Sequence, residues 1–165
     1  MIDNEELEIT MEEQLIQVRR VAKVTKGGKR LKFRALVVVG NGNGKVGIGL
    51  GKASEIPDAI KKASSRARRD SIVIPIKGTT IPHETWGKWG AAKVFLKPAV
   101  PGTGIIAGGP VRAILQKAGI KDVLSKAFGS SNQVNISFAT IEALKSLITY
   151  EEKSKILGKN RVKEE

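Results

Sequence analysis

Apolar and polar residues alternate with a period of two in three successive runs between Leu15 and Leu50. In the first, Leu15 to Thr25, Ile16 and Val18 alternate, then Val21, Ala22 and Val24 change phase around Arg19-Arg20. That pattern predicts a strand with a bulge at the two arginines. Lys26-Gly27-Gly28-Lys29 predicts a turn. Leu31, Phe33, Ala35, Val37 and Val39 then alternate strictly, with Lys32 and Arg34 between the first of them, as in a half-buried strand whose wet face is basic. Gly40-Asn41-Gly42-Asn43-Gly44 predicts a hairpin loop, because Gly and Asn accept positive φ. In the third run Val46, Ile48 and Leu50 alternate with Gly47, Gly49 and Gly51. A strand face without side chains admits a close backbone or a ligand. The chain's own helix and an outside ligand are both candidates.

After Ala53 the period changes to that of a helix. Ser54 is the expected N-cap, Pro57 and Asp58 fall in the first turn, and Ile56, Ala59, Ile60, Ala63 and Ala67 form the apolar stripe. Residues 14–70 therefore read as a βββα unit, preceded by an acidic flexible head, 1–13. Ile72–Ile76 is expected to open a second α+β unit, 71–150. A loop with Pro82, His83, Trp86 and Trp89 leads to a strand, Ala92–Pro98, and then to a glycine-rich loop, Pro101–Gly109. Pro110 starts a helix with Val111, Ile114, Leu115 and Ala118 inward, and Gly119 ends it. A short strand within Ile120–Phe128 precedes a last helix from Asn132, with Val134, Phe138, Ile141, Leu144 and Ile148 inward. Residues 151–165 read as a charged tail, either a helical extension or loose. The fold class is α+β throughout.

Charge narrows the function. The 165 residues carry a formal net charge of +13, which points to a nucleic acid or an anionic surface as partner. It is unevenly spread. Asp3, Glu5, Glu6, Glu8, Glu12 and Glu13 make the head acidic, whereas Gln14 to Lys52 holds ten bases and no acid. The absence of cysteine removes disulfides and thiol chemistry. The acidic start has no apolar core of a signal peptide, and no apolar run reaches the ~20 residues of a membrane span. A soluble protein of a reducing compartment is expected.

The glycine loops invite a nucleotide-binding reading. In GNGNGK, three residues separate Gly40 from Gly44, Lys45 is followed by Val46, and a strand comes next, so the spacing and context of a phosphate loop are missing. Gly102-x-Gly104-x-x-Ala107 does lie between a strand and a helix, as a dinucleotide loop would. Too little chain remains for a doubly wound sheet, and a protein-contact loop with Gly102, Thr103, Gly104 and Arg112 is the better reading. A nucleotide-dependent enzyme and a free RNA-binding regulator stay as alternatives. His83 is the single histidine, and no catalytic or metal-binding constellation can be assembled; no catalytic residue, metal, cofactor or small-molecule substrate is expected.

The basic constellation is stronger. Lys26, Gly27, Gly28, Lys29 and Arg30 form a slim basic loop. Arg19, Arg20, Lys23, Lys32, Arg34, Lys45 and Lys52 extend the field along the strands, and Arg66, Arg68 and Arg69 add a helix-end cluster. Phe33, on the apolar phase, is the one aromatic here. Recognition of folded RNA by shape and phosphate therefore fits better than stacking on single strands.

Gly28-Lys29, Phe33, Ala35, Val38-Val39-Gly40-Asn41, Gly44, Val46-Gly47 and Gly49 resemble the signature of the bacterial-type small-subunit ribosomal protein S5 family. Pro101–Leu115 and Asn135–Leu144, with its Ala139-Thr140 and Ala143-Leu144, resemble it too. The resemblance implies a double-stranded-RNA-binding-like N-terminal domain and a βαβ-type C-terminal domain. It implies a structural role in the small ribosomal subunit of a cytoplasmic or organelle ribosome, with small-subunit rRNA as partner and no membrane. It further implies that the loop at Thr25–Arg30 reaches rRNA between body and head and affects decoding. Gly102–Arg112 would face the neighbouring small-subunit protein four, with protein eight as another neighbour. The Trp86/Trp89 segment, the acidic head and the tail depart from the family pattern.

Overall fold

The computed structural model describes residues 11–158. Most of the acidic head and the end of the tail lie outside them. The first sheet has the order β1-β2-β3-β4, all antiparallel: β1 (Glu12–Thr25), β2 (Gly28–Gly40), β3 (Lys45–Ala53) and β4 (Ile72–Val73). Helix α1 (Ile56–Arg69) lies on it. The second sheet has the order β5-β6-β8-β7, from β5 (Thr85–Trp89), β6 (Ala92–Pro98), β7 (Ile105–Ile106) and β8 (Val123–Phe128), with only β7 and β8 parallel. Helices α2 (Gly109–Ala118), α3 (Gln133–Lys145) and the short α4 (Tyr150–Ile156) complete the α+β chain.

Three expectations about the first unit change. The register shift in β1 lies between Leu15 and Gln17, not at Arg19-Arg20, which pair regularly with Arg34 and Phe33. The extra residue, Ile16, turns out of the ladder to pack on the larger core. The phase change at Val21–Val24 had another cause: among the described residues nothing covers the hairpin from Ala22 outward, so apolar residues there do not report burial. Glu55, not Ser54, is the N-cap of α1 and makes no side-chain cap bond. And Ile72–Val73 pairs with β3 as an edge of the first sheet rather than starting the second.

The bare glycine face is settled by α1. Its buried residues are Ala59, Ala63, Ser64 and Ala67. A Cβ added at Gly47, Gly49 or Gly51 would overlap the carbonyl oxygens of Ala67, Ala63 and Ala59 respectively. Glycine on the strand and alanine on the helix let the two backbones meet, so this face has no room for RNA. The same device recurs at Gly87 of β5, where a Cβ would lie 2.5 Å from the Ala143 nitrogen of α3. That close seat explains why α3 buries Ser137, Ala139, Thr140, Ile141, Ala143 and Leu144, whereas Val134, Phe138 and Ile148 stay half-buried. The Ser137 and Thr140 hydroxyls donate to Gln133 and Ile136 carbonyls at 2.7 and 2.8 Å, so neither is left unsatisfied. Asn132, where the last helix was expected to begin, caps α3 by accepting from the Val134 N–H.

The GNGNG loop docks rather than dangles. Gly42 and Gly44 N–H groups donate to the Lys117 and Ala118 carbonyls at 3.0 and 2.9 Å, at the end of α2. Gly119 closes that helix with φ 88°, as expected. Val38, Val46 and Ile48 from the other face of the first sheet join Val94, Leu96, Ile114, Leu115 and Leu144 in one aliphatic core. Trp86 and Trp89 lie on a strand, β5, not a loop. Residues 150–156 form the helical extension, started by a Thr149–Glu152 capping box.

Candidate nucleic-acid interface

The β1–β2 hairpin is longer than the sheet it belongs to. β3 ends at Ala53, opposite Phe33, while β1 and β2 continue pairing to Thr25 and Gly28. The two-stranded end therefore projects roughly 15 Å past its last neighbour. Residues 22–32 are all exposed. At the tip Thr25 donates its hydroxyl to the Gly28 carbonyl (3.0 Å), and Gly28 has φ 132°. Gly27 lies outside the left-handed region, and a Cβ there would meet nothing within 4 Å. Nothing inside the protein asks for glycine at 27; its effect is to keep the tip thin.

The pairing arranges the bases in rows. Arg19 lies opposite Arg34 and Arg34 opposite Lys52, so three cations stand side by side across three strands. Along the same face follow Lys32 opposite Val21 and Lys23 opposite Arg30. Like charges directly opposite destabilise a sheet, and β2 and β3 contain no acid. Among the described residues the ion pairs are Arg68–Glu13, Arg69–Asp70, Lys117–Glu12 and Lys145–Glu142, none on this face. Arg20 and Lys29 fall on the opposite face of the ribbon and Lys26 at its tip, so cations surround it. Such a surface supplies phosphate-binding charge and hydrogen-bond donors.

The other predicted site residues lie elsewhere. Lys45 is half-buried at the far end of β3 beside Val73. The α1 arginines sit at the end of the helix remote from the row, and each is engaged by the chain. Arg66 donates to the Leu50 carbonyl at 2.8 Å, Arg68 bonds Glu13, and Arg69 bonds Asp70 at 3.1 Å. Glu13 also accepts from Ser64 at 2.7 Å. Glu12, in a strand rather than a loose head, is held below the usual carboxylate range by its hydrogen bond to Lys117.

Asp122 organises the second glycine loop. It is 5 % exposed, and one of its oxygens accepts from the Gly102 and Gly104 N–H groups at 3.1 and 2.9 Å. A hydrogen bond from Thr79, then these amides, keeps its pKa below the ordinary 3.8 against the opposing effect of burial. Two amides that a nucleotide phosphate would need are thus taken by a carboxylate, while Thr103 and Arg112 remain exposed. Sequence reading missed Asp122 because its partners lie 18 and 20 residues away. His83 is a tie: Nε2 accepts from the Ile148 N–H at 3.1 Å, which leaves Nδ1 as the protonated nitrogen, facing the Glu84 carbonyl at 2.7 Å. Among the described residues no three metal-ligating side chains gather, and no helix is long and apolar enough to cross a membrane.

Comparison with known proteins adds two findings. Residues 11–75 match the family described as ribosomal protein S5, N-terminal domain, and residues 87–156 that described as ribosomal protein S5, C-terminal domain. A protein of Thermotoga maritima named small ribosomal subunit protein uS5 is 56% identical over 137 residues, which cover 83% of this chain and 77% of that protein.

Proposed function

The chain belongs to the ribosomal protein S5 family, and on that premise we propose that it is a structural constituent of the small ribosomal subunit. It binds small-subunit rRNA by phosphate neutralisation and by inserting the β1–β2 tip, and performs no chemistry of its own. The observation that carries this reading is the row of Arg19, Arg34 and Lys52 with the projecting basic ribbon beyond it. Like charges aligned with no acid paired to them among the described residues are relieved when an anion binds. Double-stranded RNA, read by shape and phosphate, suits a ribbon thin enough to enter a groove.

In this reading the first unit, through its edge strand β4, is the double-stranded-RNA-binding-like domain and the rest of the chain to residue 150 the second domain. The Thr25–Arg30 tip lies where body and head meet, which is how it bears on decoding. The Asp122-pinned loop, with Thr103 and Arg112 outward, faces protein four, and protein eight is a second neighbour. The test is sedimentation of a lysate followed by binding of the purified protein to a small-subunit rRNA fragment over a salt series. The protein is expected to travel with the small subunit and to bind with steeply salt-dependent affinity. Absence from the subunit would make it a free regulator, and a flat salt response would overturn the phosphate mechanism.

A further inference from the structure

None of the chain's two tryptophans, four phenylalanines and one tyrosine is buried; the core is built from aliphatic side chains. Three of the rings meet on the face of the second sheet that no helix covers among the described residues. Strand pairing sets Trp86, Phe95 and Lys126 side by side in one row, and Lys88, Lys93 and Phe128 in the next. Trp86 is 56% and Phe128 44% exposed. The Trp86 ring lies 4.7 Å from that of Phe95 and 5.7 Å from that of Phe128, centroid to centroid. The alternate residues, Thr85, Gly87, Val94 and Leu96, turn inward and are buried. β5, β6 and β8 contain no acid.

We propose that this face is a second RNA site, which takes one or two unpaired nucleotides by stacking a base on Trp86 while Lys93 and Lys126 hold the flanking phosphates. Two rows across three strands measure roughly 7 by 10 Å, the footprint of one or two bases. Aromatic rings on an open sheet, interleaved with cations, are the arrangement by which proteins hold unpaired RNA. A protein occupant fits less well, since the centres of protein interfaces are depleted in lysine, and here half of the two rows is lysine. The proposal deepens the rRNA-binding reading above and rests on it, but assigns the second domain a different RNA conformation from the hairpin's.

The test uses the full chain with Trp89→Phe, a change that keeps a ring against Phe138 (5.0 Å between centroids) and leaves Trp86 as the sole indole reporter. An unpaired adenosine octamer is expected to quench its emission, and Lys93→Ala with Lys126→Ala to weaken that binding about tenfold with an unchanged melting temperature. Lys26→Ala, Lys29→Ala and Arg30→Ala together should weaken binding of a 16-base-pair RNA duplex and leave the octamer quenching in place. Duplex binding without octamer quenching overturns the proposal while leaving the hairpin reading intact. Concentration-dependent association without RNA, with Trp86 emission shifted to the blue, also overturns it, in favour of a second copy of the chain as occupant. Failure of both RNAs to bind overturns the two readings together.

Discussion

The sharpest quantitative consequence concerns the hairpin tip. Lys26, Lys29 and Arg30 are exposed and take part in no ion pair among the described residues. Replacing all three by alanine should therefore leave folding stability within about 0.5 kcal/mol. Each phosphate neutralised on an RNA duplex contributes about 0.9 to the slope of log K against log salt. Between 50 and 200 mM salt that is roughly a 3.5-fold loss of affinity per contact, and about 40-fold for three. The unaltered protein should thus lose about 40-fold more affinity over that range than the triple variant, and its slope should be steeper by close to three. Fluorescence anisotropy with a labelled small-subunit rRNA fragment at five or six salt concentrations measures both. Alanine at Arg66, Arg68 and Arg69 should change the slope by less, because Leu50, Glu13 and Asp70 already engage those guanidinium groups. Parallel salt lines for the tip variant and the unaltered protein would refute the insertion argument, even if the variant bound more weakly.

Two further outcomes follow from the glycines and from Asp122. Gly49→Ala must displace α1, since its Cβ would overlap the Ala63 carbonyl; a loss of more than about 3 kcal/mol in urea unfolding is expected, whereas Gly27→Ala, with open space around it, should be neutral. Equal effects at the two positions would contradict the packing account. The Asp122 carboxylate has a lowered folded-state pKa, so its contribution is present above the ordinary 3.8 and lost as pH falls through the lower folded value. The Gly102 and Gly104 amides should stay protected from hydrogen exchange at pH 5 and lose protection only as pH falls through the lowered folded-state pKa, and Asp122→Ala should expose them at every pH. Protection that persists in Asp122→Ala would show that the loop holds itself.

Much of the first unit was legible because its period-two runs are long and its hairpin signals are local. Leu31 to Val39 alternates without a break, and GNGNG can only be a turn. The misreadings of burial share one origin, the assumption that an apolar residue faces a core. Val24 is 74% exposed because it lies beyond the edge of the sheet, where no core exists. Conversely, the positions of α3 seated on Gly87 are small: Ala139 and Ala143 are buried while Phe138 is not. Hydropathy ranks Phe above Ala, but the glycine seat at Gly87 selects for size. The tip was legible in charge alone; the cross-strand row of Arg19, Arg34 and Lys52 was not, since it depends on register, and register depends on the bulge at Ile16.

That bulge links fold to function. The side-chain period of a strand is two, so one extra residue at Ile16 exchanges the faces of everything after it in β1. Because of the shift, Arg19 and Lys23 share a face with Arg34 and Arg30, and Val18 turns to the α1 core. Were Ile16 paired regularly with Leu36, the basic face would hold Val18, Arg20, Ala22 and Val24, and Arg19 would point toward the helix. The single irregularity in the longest strand therefore puts Arg19 and Lys23 on the face of Arg30, Lys32, Arg34 and Lys52, while Arg20 and Lys29 stay on the other. It does so at the cost of aligning like charges in the free protein, a repulsion that an RNA backbone would remove under the proposed function.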